Sequence, residues 1–595
     1  MGFLSQVRGE KSPVAAGDVE GSNGGGPEDQ HNKEAGPEPQ VSETDDTSTH
    51  KQDGVREIEA ITSVWSKKTL WLMMILFYVA SFSDMLLVSV QTNLTPYVTS
   101  NFSQHGLLSA VSIIATVLGG SSGLSVAKII DIWGRPAGFL FMLLLDTVGN
   151  IIKATCKNVE AYTAGHTLYW VGHLNMLYCI DIMLADMTTL KNRILIMGIN
   201  GTPTIATTFA GPRIAELFQA HVNFRWAFGA FTIILVALCS PPAIVLLWHQ
   251  RRATKRGMIQ KRISGRTWYE SVHYYVIELD LIGIVLITAG WSLLLLPFSL
   301  ASNTGKGWGS ASMICMIVFG VVGLVLFGAW EKWFAPVQFL PWRYLKERTI
   351  VGACLLYGVM FISVFAWDAY YSSYLQVVHN LSITNSGYVL NTFSLTSSFI
   401  SPFIGLLIRY TGDYKWTSYA GIPFVALGTG LLAHFRRPES HVGYLVMCQI
   451  LNGIGTGIFS MCGQLAIMAA VTHQEIAVVM AIYSLFGSIG SAVGNAVAGA
   501  IWTNILPGEL LKALPADKQD LMPKIYGSLS VQQEWPIGDP VRDAIIEAYA
   551  VVQHKMVIAG SAFVPVFVFC VLLFKGINVK KLEKEGGTQA KGNIF

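Results

Sequence analysis

The chain has 595 residues, 52% of them hydrophobic and 13% charged, with a formal net charge of +3 and a mean hydropathy of +0.46. Charge is about half as frequent as in ordinary globular domains, which excludes a string of soluble domains or a basic nucleic-acid binder. The apolar residues fall in about fourteen windows of roughly twenty residues, each long enough to cross ~30 Å of hydrocarbon. Helix is the state expected for them, because it satisfies backbone polar groups within its own segment.

In chain order, residues 1–66 come first and are rich in acid, Gly, Pro, Ser and Thr, as in "GSNGGGPEDQHNKEAGPEPQVSETDDTST". That composition buries too little apolar surface to order itself and predicts a disordered acidic tail. It has no apolar core of a signal peptide, and Gln6 breaks the myristoylation pattern. Residues 67–250 then hold six predicted spans: Leu70–Thr92, Leu107–Lys128, Gly134–Lys153, Tyr162–Leu184, Leu195–Phe218 and Trp226–His249. A basic connector, 251–276, carries "HQRRATKRGMIQKRISGR". A pair, Ile277–Leu300 and Ser310–Lys332, makes an inserted hairpin over 277–332. Residues 333–575 hold Ile350–Val377, Asn385–Arg409, Trp416–Phe435, Gly443–Met468, Ile476–Ile505 and Val551–Lys575, with a long connector at 506–550 and a tail at 576–595. The fold class predicted is an all-α membrane protein of about fourteen spans, arranged as two six-helix bundles with one hairpin between them.

Basic residues orient the spans. Arg251, Arg252, Lys255, Arg256, Lys261, Arg262 and Arg266 place the connector after the sixth span in the cytoplasm, and the other even connectors also carry Lys and Arg. Both termini are then cytoplasmic. Sequons at Asn101 and Asn380 fall in connectors assigned outside, although Asn200 begins another inside a span. Eight scattered cysteines show no metal-like spacing and read as packing residues.

Between the second and third spans stands "AKIIDIWGRPAGF". This turn resembles the signature of the major facilitator superfamily, matched here by Gly123, Asp131, Gly134 and Arg135. The resemblance implies a cytoplasmic latch between the two halves, to which Asp186 and Arg193 at the end of the fourth span would belong. An aspartate there can face a helix N-terminus or a cation, and glycine permits a tight turn. "GLLIRYTGDYKW" occupies the corresponding turn of the second half.

Further phrases resemble the fungal siderophore–iron transporter branch of that superfamily: "YVTSNFSQH" entering the second span, "ADMTTLKNR" closing the fourth, and "SLSVQQEWPIGDPVRDAIIEAYAVVQHK" before the last. "FAGPRIAE" in the fifth is similar to the Gly-Pro motif of fourteen-helix proton antiporters. The resemblance implies proton-coupled import of a ferric siderophore, hydroxamate-type, by a plasma-membrane carrier, with endosomal and vacuolar membranes as alternatives. The expected partners are the chelate, protons and the lipid bilayer, with no nucleic acid, in a monomer. No nucleotide-binding loop or metal-protease motif occurs, so no enzyme activity and no cofactor are expected; iron arrives already caged by its chelator.

Ionisable groups inside apolar helices cost roughly 2.5–3.5 kcal/mol each on insertion scales, so each asks for a role. Asp84 lies mid-span in the first helix, with Gln91 two turns on along the same face. His166, His173 and Asp181 recur along one stripe of the fourth, with Tyr169 between them. Asp84, Asp181 and His173 are the candidates for proton coupling, since imidazole titrates near neutrality. Asp146 reads equally as a packing partner, and Arg213 with Glu216 as an ion pair one turn apart. "FAWDAYYSSYLQ" places Trp367, Tyr370, Tyr371 and Tyr374 where they form either an interfacial belt or a clamp for a large flat chelate. Asn391, Gln449 and Asn452 complete the candidate binding set, because carboxamides bond a peptide-like ligand from both ends. The alternatives left open are a fourteen-helix drug:proton antiporter and a non-transporting membrane sensor.

Overall fold

The computed structural model describes residues 65–257, 267–301, 306–338, 340–472 and 475–584. The acidic tail predicted over 1–66 falls almost wholly outside the described residues, as do 258–266 of the basic connector and 585–595 of the C-terminal tail. Apart from an isolated bridge between Asp413 and Asn578, the elements among the described residues are helices. Among those residues, 13 helices are long and apolar enough to cross a membrane.

The first half contains α1 (Lys67–Asn101), α2 (Leu108–Ile132), α3 (Arg135–Thr155), α4 (Val159–Met187), α5 (Leu190–Asn200), α6 (Pro203–His221) and α7 (Phe224–Lys255). Then come α8 (Trp268–Glu278), α9 (Leu281–Leu295) and α10 (Ala311–Ala329). The second half holds α11 (Arg348–Asp368), α12 (Tyr371–Val378), α13 (Ile383–Thr411), α14 (Tyr414–Phe435), α15 (Val442–Ala469), α16 (Ile476–Ala513), α17 (Pro540–Ser561), α18 (Val566–Leu572) and a short α19 (Val579–Lys584).

Local chemistry explains the starts. Asn158, Asn223, Ser382 and Asp413 cap α4, α7, α13 and α14 by accepting from free amides of the first turn. Thr267 and Glu270 form a reciprocal capping box on α8.

Several elements differ from the sequence prediction; among them, Ile350–Val377 is broken between α11 and α12, and Val551–Lys575 is met by α17 and α18. α1 runs through Pro96 to Asn101, and hydroxyls beside the proline add bonds to its backbone: Thr95 donates to Gln91 O and Ser100 to Pro96 O, each at 2.7 Å. The fifth predicted span is two helices, α5 and α6, split where Pro203 brings no amide to the chain. The hairpin begins at Leu281 instead of Ile277, because Asp280 takes a left-handed φ of 45° and caps α9. The long connector is short: α16 continues to Ala513 and α17 starts at Pro540, leaving 514–539 to a 3-10 turn (Ala516–Leu521) and two single-turn helices, Met522–Gly527 and Leu529–Gln532.

The halves meet along two seams. On one, Gly120 of α2 abuts Ser488 of α16, and Gly499 abuts Ser109. On the other, Gly405 of α13 lies against the backbone of Leu195 in α5, and Gly387 against Pro212 of α6. The α9–α10 pair packs outside the first seam. It touches both helices there, through a Ser121–Thr288 hydrogen bond of 2.6 Å and an apolar cluster of Ile113, Val117, Leu295, Ala492 and Ala496.

Candidate functional site

A cavity of about 150 Å³ lies between the halves. Gln91, Thr95, His166, Tyr169 and Trp170 line it from α1 and α4; Phe365, Asp368, Ser372 and Asn495 line it from α11, α12 and α16. No lysine or arginine is among these lining residues.

Both ends are shut. At the end nearer residues 514–539, Tyr97 of α1 donates to Gln376 of α12, and Thr384 to Glu216. Ser109 donates to the Tyr370 hydroxyl at 3.1 Å, which donates in turn to Gly106 O at 3.2 Å. The 514–539 segment covers this end: Leu529 N donates to Ser100 Oγ at 3.1 Å, and Ile525 and Leu529 are buried. At the other end the Tyr178 hydroxyl reaches Ala477 O across the halves at 2.7 Å.

The structure joins two of the predicted coupling residues. Asp84 is fully buried and its Oδ2 lies 2.8 Å from His173 Nδ1. Asp181 stands apart, half-buried near Tyr357 of α11. His166 is buried, beside Tyr162 and Trp170.

Behind the α1–α4 wall is a chain that sequence reading missed. Asn150 Nδ2 donates to Asp146 Oδ1 at 2.7 Å, and Gln91 Nε2 to Asn150 Oδ1 at 3.0 Å. Lys153 donates to Gln91 Oε1, and its ammonium rests 4.3 Å from the rings of both Tyr169 and Phe228. Aromatic faces hold the buried cation in place of water. The spacing was a signal: Asp146, Asn150 and Lys153 stand at i, i+4 and i+7 on one face of α3.

Of the predicted ligand-binding residues, Gln91 and Tyr169 line the cavity. Trp367, Tyr370, Tyr371 and Tyr374 are instead packed inside the second half, with Tyr370 stacked on Trp502 at 3.9 Å. Arg436, read as a connector residue, is buried there with its guanidinium 3.9 Å from the Tyr371 ring. Gln449 is buried close to the Tyr371 hydroxyl without a well-formed hydrogen bond. Asn452 ties α15 to α14, accepting from Thr429 at 2.8 Å. Asn391 bridges the halves, donating to Ser89 Oγ at 3.4 Å.

The α2–α3 turn is an ionic knot. Arg135 Nη1 lies 2.6 Å from Asp131 and 3.0 Å from Ile130 O, while its Nε lies 3.2 Å from Asp186. Gly134 takes a φ of 87°, which side chains resist. Arg193 donates to Ala185 O and Thr188 O at 3.0 and 3.1 Å, fastening the end of α4. Gly123 faces Asn175 where α2 meets α4. Arg213 and Glu216 do pair, at 3.1 Å, with Arg213 largely exposed. The eight cysteines are free; seven are buried and Cys315 of α10 is exposed.

Residues 349–506 match the family model of the Major Facilitator Superfamily. Over 93% of its length the chain is 53% identical to MFS siderochrome iron transporter 1 of Ajellomyces capsulatus, covering 96% of that protein. It is 39% identical to Siderophore iron transporter mirB of Emericella nidulans, over 95% of this chain and 93% of that one. Among solved structures, an inward-facing, unoccupied bacterial homolog of the human lysosomal transporter Spinster superposes with a TM-score of 0.54 at 11% identity, covering 86% of this chain and 98% of that one. A peptide transporter POT in complex with sulfate gives 0.52 at 14% identity, covering 85% and 96%. These two share the fold; the sequence relatives fix the family, whose named members are transporters and not enzymes. The chain is an integral membrane protein of the major facilitator fold and belongs to the fungal siderochrome iron transporter family of that superfamily.

Proposed function

We propose that this protein imports a ferric siderophore by alternating access, coupled to protons. The observation that carries the reading is the cavity lined from both halves, in a chain that aligns along nearly its whole length with named siderochrome iron transporters. The lining favours a hydroxamate chelate. A ferric trihydroxamate is electrically neutral and rich in carbonyl oxygens, which suits carboxamides, hydroxyls and aromatic faces. A ferric tris-catecholate is a multiple anion and would meet Asp368 with no lining lysine or arginine to offset it.

At about 150 Å³ the cavity is smaller than the roughly 300–1,000 Å³ of pockets for drug-sized ligands. Cargo therefore enters after one end opens, by rocking of the halves about the central site. Gln91 and Tyr169 meet the chelate from the wall, and Asn391 joins them once its contact with Ser89 parts. Trp367, Tyr370, Tyr371, Tyr374, Gln449 and Asn452 hold the second half's side of the site. Asp84 with His173, and Asp181, are the proton-holding groups within the first half. The Arg135 knot, with Asp131, Asp186, Gly123, Gly134 and Arg193, latches the cytoplasmic end. Both termini are cytoplasmic, by the placement of Lys and Arg in the connectors, and the carrier acts as a monomer in the plasma membrane.

Uptake of a panel of iron-loaded siderophores by a transporter-null fungal strain expressing this chain tests the reading. Accumulation of a hydroxamate complex that depends on the pH gradient supports it. Outward movement of amphipathic drugs would favour the antiporter, and chelate binding without flux a sensor. Asp84→Asn and Asp181→Asn should each abolish gradient-driven accumulation while binding stays measurable; accumulation in both variants removes the coupling assignment.

A further inference from the structure

The span predicted as Ile350–Val377 is broken. α11 ends at Asp368 and α12 restarts at Tyr371, and the break falls on the cavity wall, where Asp368 and Ser372 line the space. A broken helix within the bilayer frees carbonyls that need donors. A distant residue supplies one: Arg436, just beyond α14, donates Nη1 to Trp367 O at 2.6 Å. Gln553 of α17 adds a long bond of 3.4 Å to Tyr370 O, which also accepts from Tyr374 N. Arg436 also donates to Gln553 Oε1 at 3.1 Å.

Two features of this brace are unfinished. Arg436 is 1% exposed, yet its Nε and Nη2 have no hydrogen-bond partner and no carboxylate pairs with it among the described residues. Asp368 makes no hydrogen bond or ion pair with a described residue, although it lies near enough to feel the Arg436 charge. An ionised carboxylate and a buried guanidinium at such range in a poorly screened interior would close on each other. A protonated carboxyl has no such pull and stays at the cavity surface.

We propose that Asp368 and Arg436 form a proton-controlled switch in the cavity wall. Protonated, Asp368 stays at the cavity wall, the position it holds here. Ionised, it turns to the free Nε and Nη2 of Arg436 and draws the helix break with it. The proton comes from water in the opened cavity and returns to it, and no other bond is made or broken. The inference rests on the proton-coupled reading and extends it: Asp84 and His173 are sealed within the first half, whereas Asp368 is an acid that cargo and cavity water both reach. The groups facing Asp368 are Arg436 beyond α14, Tyr371 on α12, and, across the cavity, His166 and Tyr169 of α4. α1 and α16 face it with neutral Gln91 and Asn495.

Infrared difference spectra of the full-length protein in lipid vesicles, stepped between neutral and acid pH without chelate, read the switch directly. Asp368→Asn should remove one component of the protonated-carboxyl band. Arg436→Gln should keep that component at pH values where the wild type has lost it, and Arg436→Lys should restore much of the wild-type behaviour. Should Asp368→Asn fail to insert, Asp368→Glu must shift the component's frequency. Gradient-driven accumulation of ferrichrome, a neutral trihydroxamate chelate, should fall about fivefold or more in Asp368→Asn. Unchanged acid bands in the Asp368 variants, or unchanged accumulation, overturn the proposal. A wild type that takes up no ferrichrome, with the band still lost in Asp368→Asn, leaves the switch standing and defeats the substrate reading.

Discussion

Beyond the two ends of the cavity the chemistry differs. Near the α2–α3 turn, within the first half, one guanidinium is shared between Asp131, Asp186 and a backbone carbonyl, with Arg135 and Asp131 buried and Asp186 half-buried. The opposite end is held mostly by uncharged hydrogen bonds, with Glu216 the one carboxylate named there, by stacked aromatic rings and by a folded cover made by residues 514–539. A buried charge knot tolerates few intermediate geometries, because a half-made ion pair in low dielectric is costly. Aromatic and apolar contacts weaken gradually as surfaces slide. The difference suits an end that opens in one step facing one that adapts to a bulky cargo.

The knot is where the comparison breaks most sharply. Arg135→Gln takes the cation from buried Asp131 and one partner from Asp186, and should cost about 3 kcal/mol, seen as loss of membrane-inserted protein and a lower melting temperature. Arg135→Lys should recover only part, since one ammonium cannot reproduce the guanidinium's fork. Asp131→Asn keeps a hydrogen-bonding partner but drops a charge; it should insert normally and transport slowly, and wild-type uptake kinetics would count against the latch.

At the far end, replacing residues 516–538 by a short Gly/Ser linker removes the buried Ile525 and Leu529 and the Gln532–Tyr549 bond of 2.6 Å. The half-saturation concentration for the chelate should rise severalfold, more than protein level at the membrane falls. An unchanged value would reduce the cover to a linker. Tyr370→Phe is a finer cut. It deletes the hydroxyl between Ser109 and Gly106 and keeps the stack on Trp502, so about 1 kcal/mol of closure is expected to go, read as faster labelling of a cysteine introduced at Ser109.

The smallest effect belongs to a half-exposed tie at the start of α11. Lys575 lies 2.7 Å from Glu347, and this hydrogen-bonded ammonium holds the Glu347 carboxyl below its usual range. A depressed acid contributes stability that is present above its unfolded value and is lost as pH falls through its folded value. Lys575→Met should therefore lower the melting temperature slightly at neutral pH, by no more than an exposed pair supplies, and not at all in acid. A difference that survives in acid would mean that the lysine acts by packing.

The spans, the turn and the family were legible because apolar length and short motifs are local properties. Asp84 and His173 could be suspected singly, from their place in apolar runs; their 2.8 Å contact is a fact about how α1 meets α4. Lys153 looked like the polar end of a span, and only three rings from α4 and α7 make it an interior cation. Arg436 read as a connector residue for the same reason: its burial depends on a helix break more than sixty residues earlier in sequence. That break has no proline to announce it. The aromatic run "WDAYYSSY" left a belt and a clamp equally open; its rings are buried, and Tyr370 reaches across to Ser109 and Gly106.

The hairpin of α9 and α10 has a mechanical consequence. It grips α2 and α16 together from the lipid side, and Ser299 and Phe298 beyond α9 also touch Gly499 and Thr503. The seam of α5 and α6 with α13 carries a lighter tie, the short α19, which packs on α5 while its Val579 N donates to Gly412 O at the end of α13 at 2.9 Å. A pair of rigid bodies stapled along one edge swings like a door about its hinge pin. Travel is then least beside the hairpin and greatest at the seam of α6 and α13, where Asn391 meets Ser89.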